Sequence, residues 1–87
     1  MKIKDNFMLR KVADTYVVVP VGAAVAEFNG MINLNETGAF LWKEFETDKT
    51  FEDVLKAMLE EYEVEENLAK KDLENFVNIL EENNLIC

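Results

Sequence analysis

The side chains in this sequence that could do chemistry are mostly carboxylates. Five of them stand close together along the chain: Glu60, Glu61, Glu63, Glu65 and Glu66. Carboxylates can bind calcium, but this run lacks the Asp, Asn and Gly spacing of a calcium loop. There is also no histidine to complete a transition-metal site. We therefore interpret the run as a solvated surface and predict no bound metal.

Nucleophilic catalysis has no better support. The sequence contains no histidine, no serine and no glutamine, and its single cysteine is the last residue, Cys87. Without an imidazole base there is no catalytic triad, and a lone thiol can form neither an intramolecular disulfide nor a zinc cluster. No glycine-rich phosphate loop is present either. We expect a protein without enzyme activity or cofactor, in a reducing, cytoplasmic setting.

Charge and length narrow the function classes further. The 87 residues are enough for one domain, so we expect residues 1–87 to share a single core.

The net charge is −9, and residues 35–87 hold fifteen acidic against five basic side chains. Such a field repels phosphate backbones, which argues against a nucleic-acid partner. No apolar run reaches the length of a signal peptide or membrane span, so no membrane partner is expected.

The elements that must position any site fall into two groups. The first third predicts strands over Phe7–Val12 and Thr15–Val19, joined by a turn at Ala13-Asp14, and a further run at Ala24–Phe28. Asn29-Gly30 suits a tight hairpin turn that leads into Met31–Leu34.

From Asn35 onward the apolar spacing becomes helical. Asn35 is a good N-cap for a first helix, and Thr50 with Asp53 resembles a capping box for a second. A third helix, beginning near Asn67 or Lys70 and ending at Asn83-Asn84, has an apolar stripe at steps of three and four. Three or four short strands followed by three helices predict an α+β fold.

This architecture offers surface shape rather than reactive groups. A short sheet with an exposed edge presents unpaired N–H and C=O groups to an extended peptide. A neighbouring helix with a partly covered apolar stripe supplies pockets for alternate side chains of that peptide. The residues by themselves therefore favour a peptide-binding site.

Four segments resemble PqqD-like proteins. Asn29–Trp42 (NGMINLNETGAFLW) is similar to that family's "nGxxxLNetgaxxW" segment, and Thr50–Leu55 resembles its helix start. Tyr62-Glu63-Val64 matches its break before the last helix, and Asp72–Ile86 matches that helix. Asn84 stands where the family often has glycine, and asparagine also tolerates the left-handed conformation.

The resemblance implies a winged-helix-like fold that recognises the leader region of ribosomally made precursor peptides. It also implies no catalysis by the domain and delivery of the peptide to a modifying enzyme, often a radical S-adenosylmethionine protein. By analogy the leader adds as a strand beside the third strand, in a groove bounded by the third helix. The implied peptide-binding residues are Met31, Ile32, Asn33, Leu34, Leu73, Phe76, Val77 and Leu80.

Two other functions stay open at this point. A winged-helix transcription factor needs basic residues on its recognition helix, whereas here Lys70 and Lys71 stand amid acidic residues, which makes DNA binding the weaker hypothesis. A structural or dimerisation module fits the sequence as well as a peptide adaptor does.

Overall fold

The computed structural model describes residues 1–22, 25 and 31–86. Among these residues the strands are β1 (Phe7–Val12), β2 (Thr15–Pro20) and β3 (Ile32–Leu34), which form an antiparallel sheet in the order β1-β2-β3. The helices α1 (Glu36–Glu44), α2 (Phe51–Glu61) and α3 (Glu66–Glu82) follow. This arrangement confirms the α+β prediction.

The segment between β2 and β3 cannot be compared in full with the sequence-based expectation. The predicted strand Ala24–Phe28 and the Asn29-Gly30 turn lie outside the described residues, except for Val25. At Val25 the backbone is helical, and its N–H donates to the Gly22 carbonyl at 3.2 Å. The third strand begins at Ile32, one residue later than predicted.

Hydrogen bonds to capping side chains account for the starts of α1 and α2. The Asn35 Oδ1 atom accepts a hydrogen bond from the Gly38 N–H at 2.8 Å, which caps α1 as predicted. At α2 the Thr50 Oγ1 atom accepts from the Asp53 N–H, and the Asp53 carboxylate accepts from the Thr50 N–H, so the predicted capping box is present. α3 has no side-chain cap and begins at Glu66, slightly before the predicted start.

The core lies between the sheet and the helices. Its largest fully buried side chains are Trp42, Phe45, Leu41, Met58, Leu73, Leu80, Leu85, Val18 and Val54. The chain closes on itself through a bridge between Ile3 and Ile86, which also packs Ile3 into the core. Asn84 adopts a positive φ of 56°, as its place after the last helix predicts, and this turn directs Leu85 inward.

None of the helices in the described ranges is long and apolar enough to cross a membrane.

Candidate functional site

β3 is an edge strand, and the pairing of β2 determines which of its backbone groups face outward. The two-residue turn at Ala13-Asp14 makes Val12 and Thr15 a hydrogen-bonded pair, because that is the geometry of a tight hairpin. The Val21 N–H donates to the Asn6 carbonyl at 2.9 Å, which continues the same alternation. The backbone N–H and C=O groups of the odd-numbered residues of β2 therefore bond to β1. Those of the even-numbered residues face β3.

The same alternation continues into β3. Tyr16 lies opposite Leu34 and Val18 lies opposite Ile32, so Ile32 and Leu34 exchange their backbone hydrogen bonds with β2. The N–H and C=O groups of Asn33 then point away from β2, toward the open edge of the sheet. An extended peptide laid along this edge would meet a donor and an acceptor at Asn33.

A groove of about 350 Å³ lies between this edge and α3. β3 and the first turns of α1 form one side of it, and the middle turns of α3, from Asp72 to Ile79, form the other. The lining residues are Asn33, Leu34, Asn35, Thr37, Gly38, Leu41, Asp72, Asn75, Phe76 and Ile79. The buried lining residues Leu41 and Phe76 are apolar, and the exposed lining residues are polar apart from Ile79. Apolar pockets beside an open strand edge suit an extended peptide.

Gly38 of α1 and the N-cap residue Asn35 shape the wall of the groove next to β3. A Cβ atom added at Gly38 would lie 3.2 Å from the Leu34 Cβ and 3.3 Å from the Asn35 Oδ1 atom. Both distances are tighter than ordinary van der Waals contact, so glycine lets the first turn of α1 approach β3 closely. The Asn35 side chain is held by its cap hydrogen bond and turns the chain sharply from the strand into the helix.

Most of the α3 residues that the family resemblance implied for peptide binding lie in the core of the structure. Leu73, Val77 and Leu80 are buried in the core and do not line the groove. Of the four predicted α3 residues, Phe76, which is 6% exposed, belongs to both the core and the groove lining. The reason is that a stripe at steps of three and four marks the face a helix buries on folding, and in α3 this face packs against the other helices.

The strand residues fall in more varied positions. Asn33 and Leu34 line the groove, whereas Ile32 is partly buried against the core. Met31 lies outside β3 and its side chain is 67% exposed. Contact of any of these residues with a peptide stays a prediction.

Sequence reasoning missed the groove face of α3. Asp72, Asn75 and Ile79 line the groove and follow one another at steps of three and four along the helix. The available signal was Ile79, a large apolar residue that stands outside the buried stripe and is 40% exposed. An exposed apolar residue beside a polar row on a helix is a binding signal only once the neighbouring sheet edge is known.

Charge in the groove is sparse. Asp72 is the one charged side chain among the residues that line it. An ion pair of the chain's N-terminus lies outside the groove, at Asp48. A hydrogen bond from the Met1 amino group at 2.9 Å, reinforced by that group's positive charge, lowers the pKa of the Asp48 carboxyl. The described residues contain no group of histidine, cysteine and carboxylate side chains able to hold a metal ion.

A second and larger hollow adjoins the groove. It has a volume of about 920 Å³ and lies beside the turn between β1 and β2, where Lys11, Asp14 and Glu36 contribute charged side chains. The two hollows share Asn33, Leu34, Asn35 and Thr37, so they form one continuous depression around the end of β3. A peptide leaving the groove at this end would enter a wide, solvated space.

Comparison with known proteins agrees with this geometry. The family model for coenzyme PQQ synthesis protein D (PqqD) matches residues 12–86. The chain belongs to the PqqD family. The match confirms the resemblance carried by the four sequence segments, and it includes β2, β3, every helix and the groove of this PqqD-family chain. No curated protein sequence matches the chain.

Two solved structures share the fold of this PqqD-family chain. One is TbiB1 in complex with the TbiA(beta) leader peptide, with a TM-score of 0.76 and 24% identity, covering 99% of this chain and 94% of the other. The second is lasso peptide synthetase B1 complexed with the leader peptide, with a TM-score of 0.74 and 22% identity, covering 99% of this chain and 95% of the other. At this level of identity the likeness establishes a common fold.

Proposed function

We propose that this chain binds the leader region of a ribosomally synthesised precursor peptide by strand addition and presents it to a modifying enzyme, such as a radical S-adenosylmethionine maturase. The observation that carries the proposal is the open edge at Asn33 beside the groove. Membership of the PqqD family supports it, and so do two proteins of the same fold that were solved with leader peptides bound.

The geometry suggests how recognition is divided. Backbone pairing at Asn33 supplies affinity that does not depend on the peptide's sequence. Alternate side chains of the added strand point to the same side of the sheet as Ile32 and Leu34, which is the side that faces α3. These side chains enter the groove over Leu34 and Phe76, and they supply the specificity.

In this function the domain itself does no chemistry. The sequence has no histidine, and the groove is lined by amides, one hydroxyl, apolar groups and one carboxylate. We propose that residues 1–87 act as one non-catalytic recognition domain in the cytoplasm, where precursor and maturase meet. Catalysis then belongs to the partner enzyme.

A pair of proline substitutions tests strand addition. Asn33→Pro removes an N–H that faces the open edge, and proline is tolerated on an edge strand where its nitrogen faces outward. We expect this variant to stay folded and to lose roughly 1 to 3 kcal/mol of binding free energy. Ile32→Pro removes a donor to β2 instead, and we expect it to lower the free energy of unfolding by a similar amount.

The measurement needs a cognate leader, which is to be sought among short open reading frames beside the gene for this chain. Calorimetry gives the affinity of each variant for the labelled leader, and urea titration followed by circular dichroism gives its stability. If both proline variants are folded and bind the leader as tightly as the parent chain, strand addition at β3 is excluded. If the parent chain does not bind the leader at all, the proposed function itself fails.

A further inference from the structure

We propose, on the basis of the function above, that the groove selects leader segments carrying a lysine or arginine two positions from an apolar residue, with the cation against Asp72. The inference concerns the chemical class of the bound peptide. It starts from the position of Asp72 on the rim of the groove, opposite β3.

Asp72 has no cationic partner in the described part of the chain. Its helical neighbours at steps of three and four are Leu68, Ala69, Asn75 and Phe76, and none of them is charged. The ion pairs among the described residues join Met1 with Asp48, Lys2 with Asp5, and Lys49 with Glu44. The Asp72 carboxylate is therefore available to a group that enters the groove.

Binding makes this unpaired carboxylate selective. A peptide lying in the groove displaces water from around Asp72, and removing water from an unpaired charge costs free energy. A basic side chain on the peptide offsets this cost, whereas an acidic side chain adds repulsion. Asp72 therefore favours one class of peptide and disfavours the opposite class, which is how specificity differs from affinity.

The spacing follows from the elements on either side of the groove. Asp72 and Phe76 are four residues apart on α3, a separation of about 6 Å along the helix axis. On an extended peptide, side chains that share a face recur every second residue, about 6.8 Å apart. An apolar side chain over Phe76 thus places the side chain two positions away close to Asp72, when the peptide runs along the groove.

The rest of α3 does not supply a competing cation. Lys70 and Lys71 precede Asp72 but lie on other sides of the helix, because neighbours at one or two positions do not share a face. The net charge of the chain is −9, so its long-range field also attracts basic peptides. Asp72 differs from this general field because it acts at one position of the peptide, and that difference can be measured.

The experiment selects random twelve-residue peptides displayed on phage against three targets: the parent chain, Asp72→Asn and Glu74→Gln. Glu74→Gln is the matched control, since it removes the same charge from an exposed site of α3 outside the groove lining. We expect the parent and Glu74→Gln to enrich lysine or arginine two positions from an apolar residue, and Asp72→Asn to lose this preference. A selected peptide should bind Asp72→Asn about two- to fivefold more weakly than the parent.

A charge reversal completes the test. Asp72→Lys should prefer the selected peptide with its basic residue changed to glutamate, and the four affinities form a double-mutant cycle that isolates the coupling. Asn33→Pro distinguishes this inference from the proposed function. If Asn33→Pro weakens binding of the selected peptides but these peptides show no basic preference, the role of Asp72 is excluded and strand addition stands. The same conclusion follows if the peptides selected on Asp72→Asn keep the basic preference. If no peptide is enriched, or Asn33→Pro releases none, both are excluded.

Discussion

Two adjacent faces of α3 differ in what they contact: one packs in the core and the other lines the groove. One face holds Leu73, Val77 and Leu80, which are buried among the other helices. The adjacent face holds Asp72, Asn75 and Ile79, which line the groove beside β3. The comparison teaches that a helix can stabilise a small domain with one face and leave the adjacent face open to the proposed peptide, because the two faces use different residues.

The compositions of the faces suit these roles. Burial of large apolar side chains drives folding, and an 87-residue domain has little surplus stability. The groove face combines one carboxylate, one amide and one isoleucine, so it can remain solvated when no peptide is bound. Phe76 lies at the boundary, where it stacks on Phe45 with ring centroids 6.4 Å apart and also forms part of the groove floor.

The strongest test of this division is Leu73→Ala. Leu73 is fully buried, so the substitution leaves a cavity and should lower the free energy of unfolding by about 2 to 5 kcal/mol. Urea titration measures this loss. The control is Asn75→Ala on the groove face, whose stability should stay within about 0.5 kcal/mol of the parent because the residue is exposed. Equal losses for the two variants would mean that the faces of α3 are assigned incorrectly.

Phe76→Leu should have an intermediate effect on stability and should also lower affinity for the leader, because Phe76 belongs to both the core and the groove lining. Losing the stacked ring against Phe45 should cost about 1 to 2 kcal/mol of stability. The same change alters the groove floor, so affinity for the leader should fall as well. Calorimetry at a temperature where the variant is fully folded separates the two losses. A variant with reduced stability and unchanged affinity would remove Phe76 from the proposed site.

Sequence patterns predicted the parts of the fold that local chemistry determines. The N-cap at Asn35, the capping box of Thr50 and Asp53 and the left-handed turn at Asn84 each depend on residues within a few positions, and all are present. The bridge between Ile3 and Ile86 was not predicted, because nothing local to either residue indicates a pairing across the whole chain.

The candidate site was predictable in outline and not in detail. Edge strand, groove and third helix could be inferred from element order together with the family resemblance. The groove-lining residues of α3 could not, because periodicity identifies the face that is buried by folding. The face left for a partner is defined by what the fold fails to cover. That depends on how β3 and α1 pack against α3, which local sequence patterns do not specify.

Ile79→Ala should have the smallest effect on stability and so gives the most selective test of the groove face. The side chain is 40% exposed, and alanine has the higher helix propensity, so stability should change by less than about 0.5 kcal/mol. In a complex the peptide would cover the exposed part of Ile79, and losing that contact should weaken binding by about 1 kcal/mol, close to fivefold.

Met8→Ala is the matched control, since Met8 is 45% exposed but lies in β1, at the opposite edge of the sheet. Fluorescence anisotropy with the labelled leader should show weaker binding for Ile79→Ala and parental binding for Met8→Ala. Equal affinity of both variants would mean that the peptide does not contact this turn of α3, and that the groove face ends at Phe76.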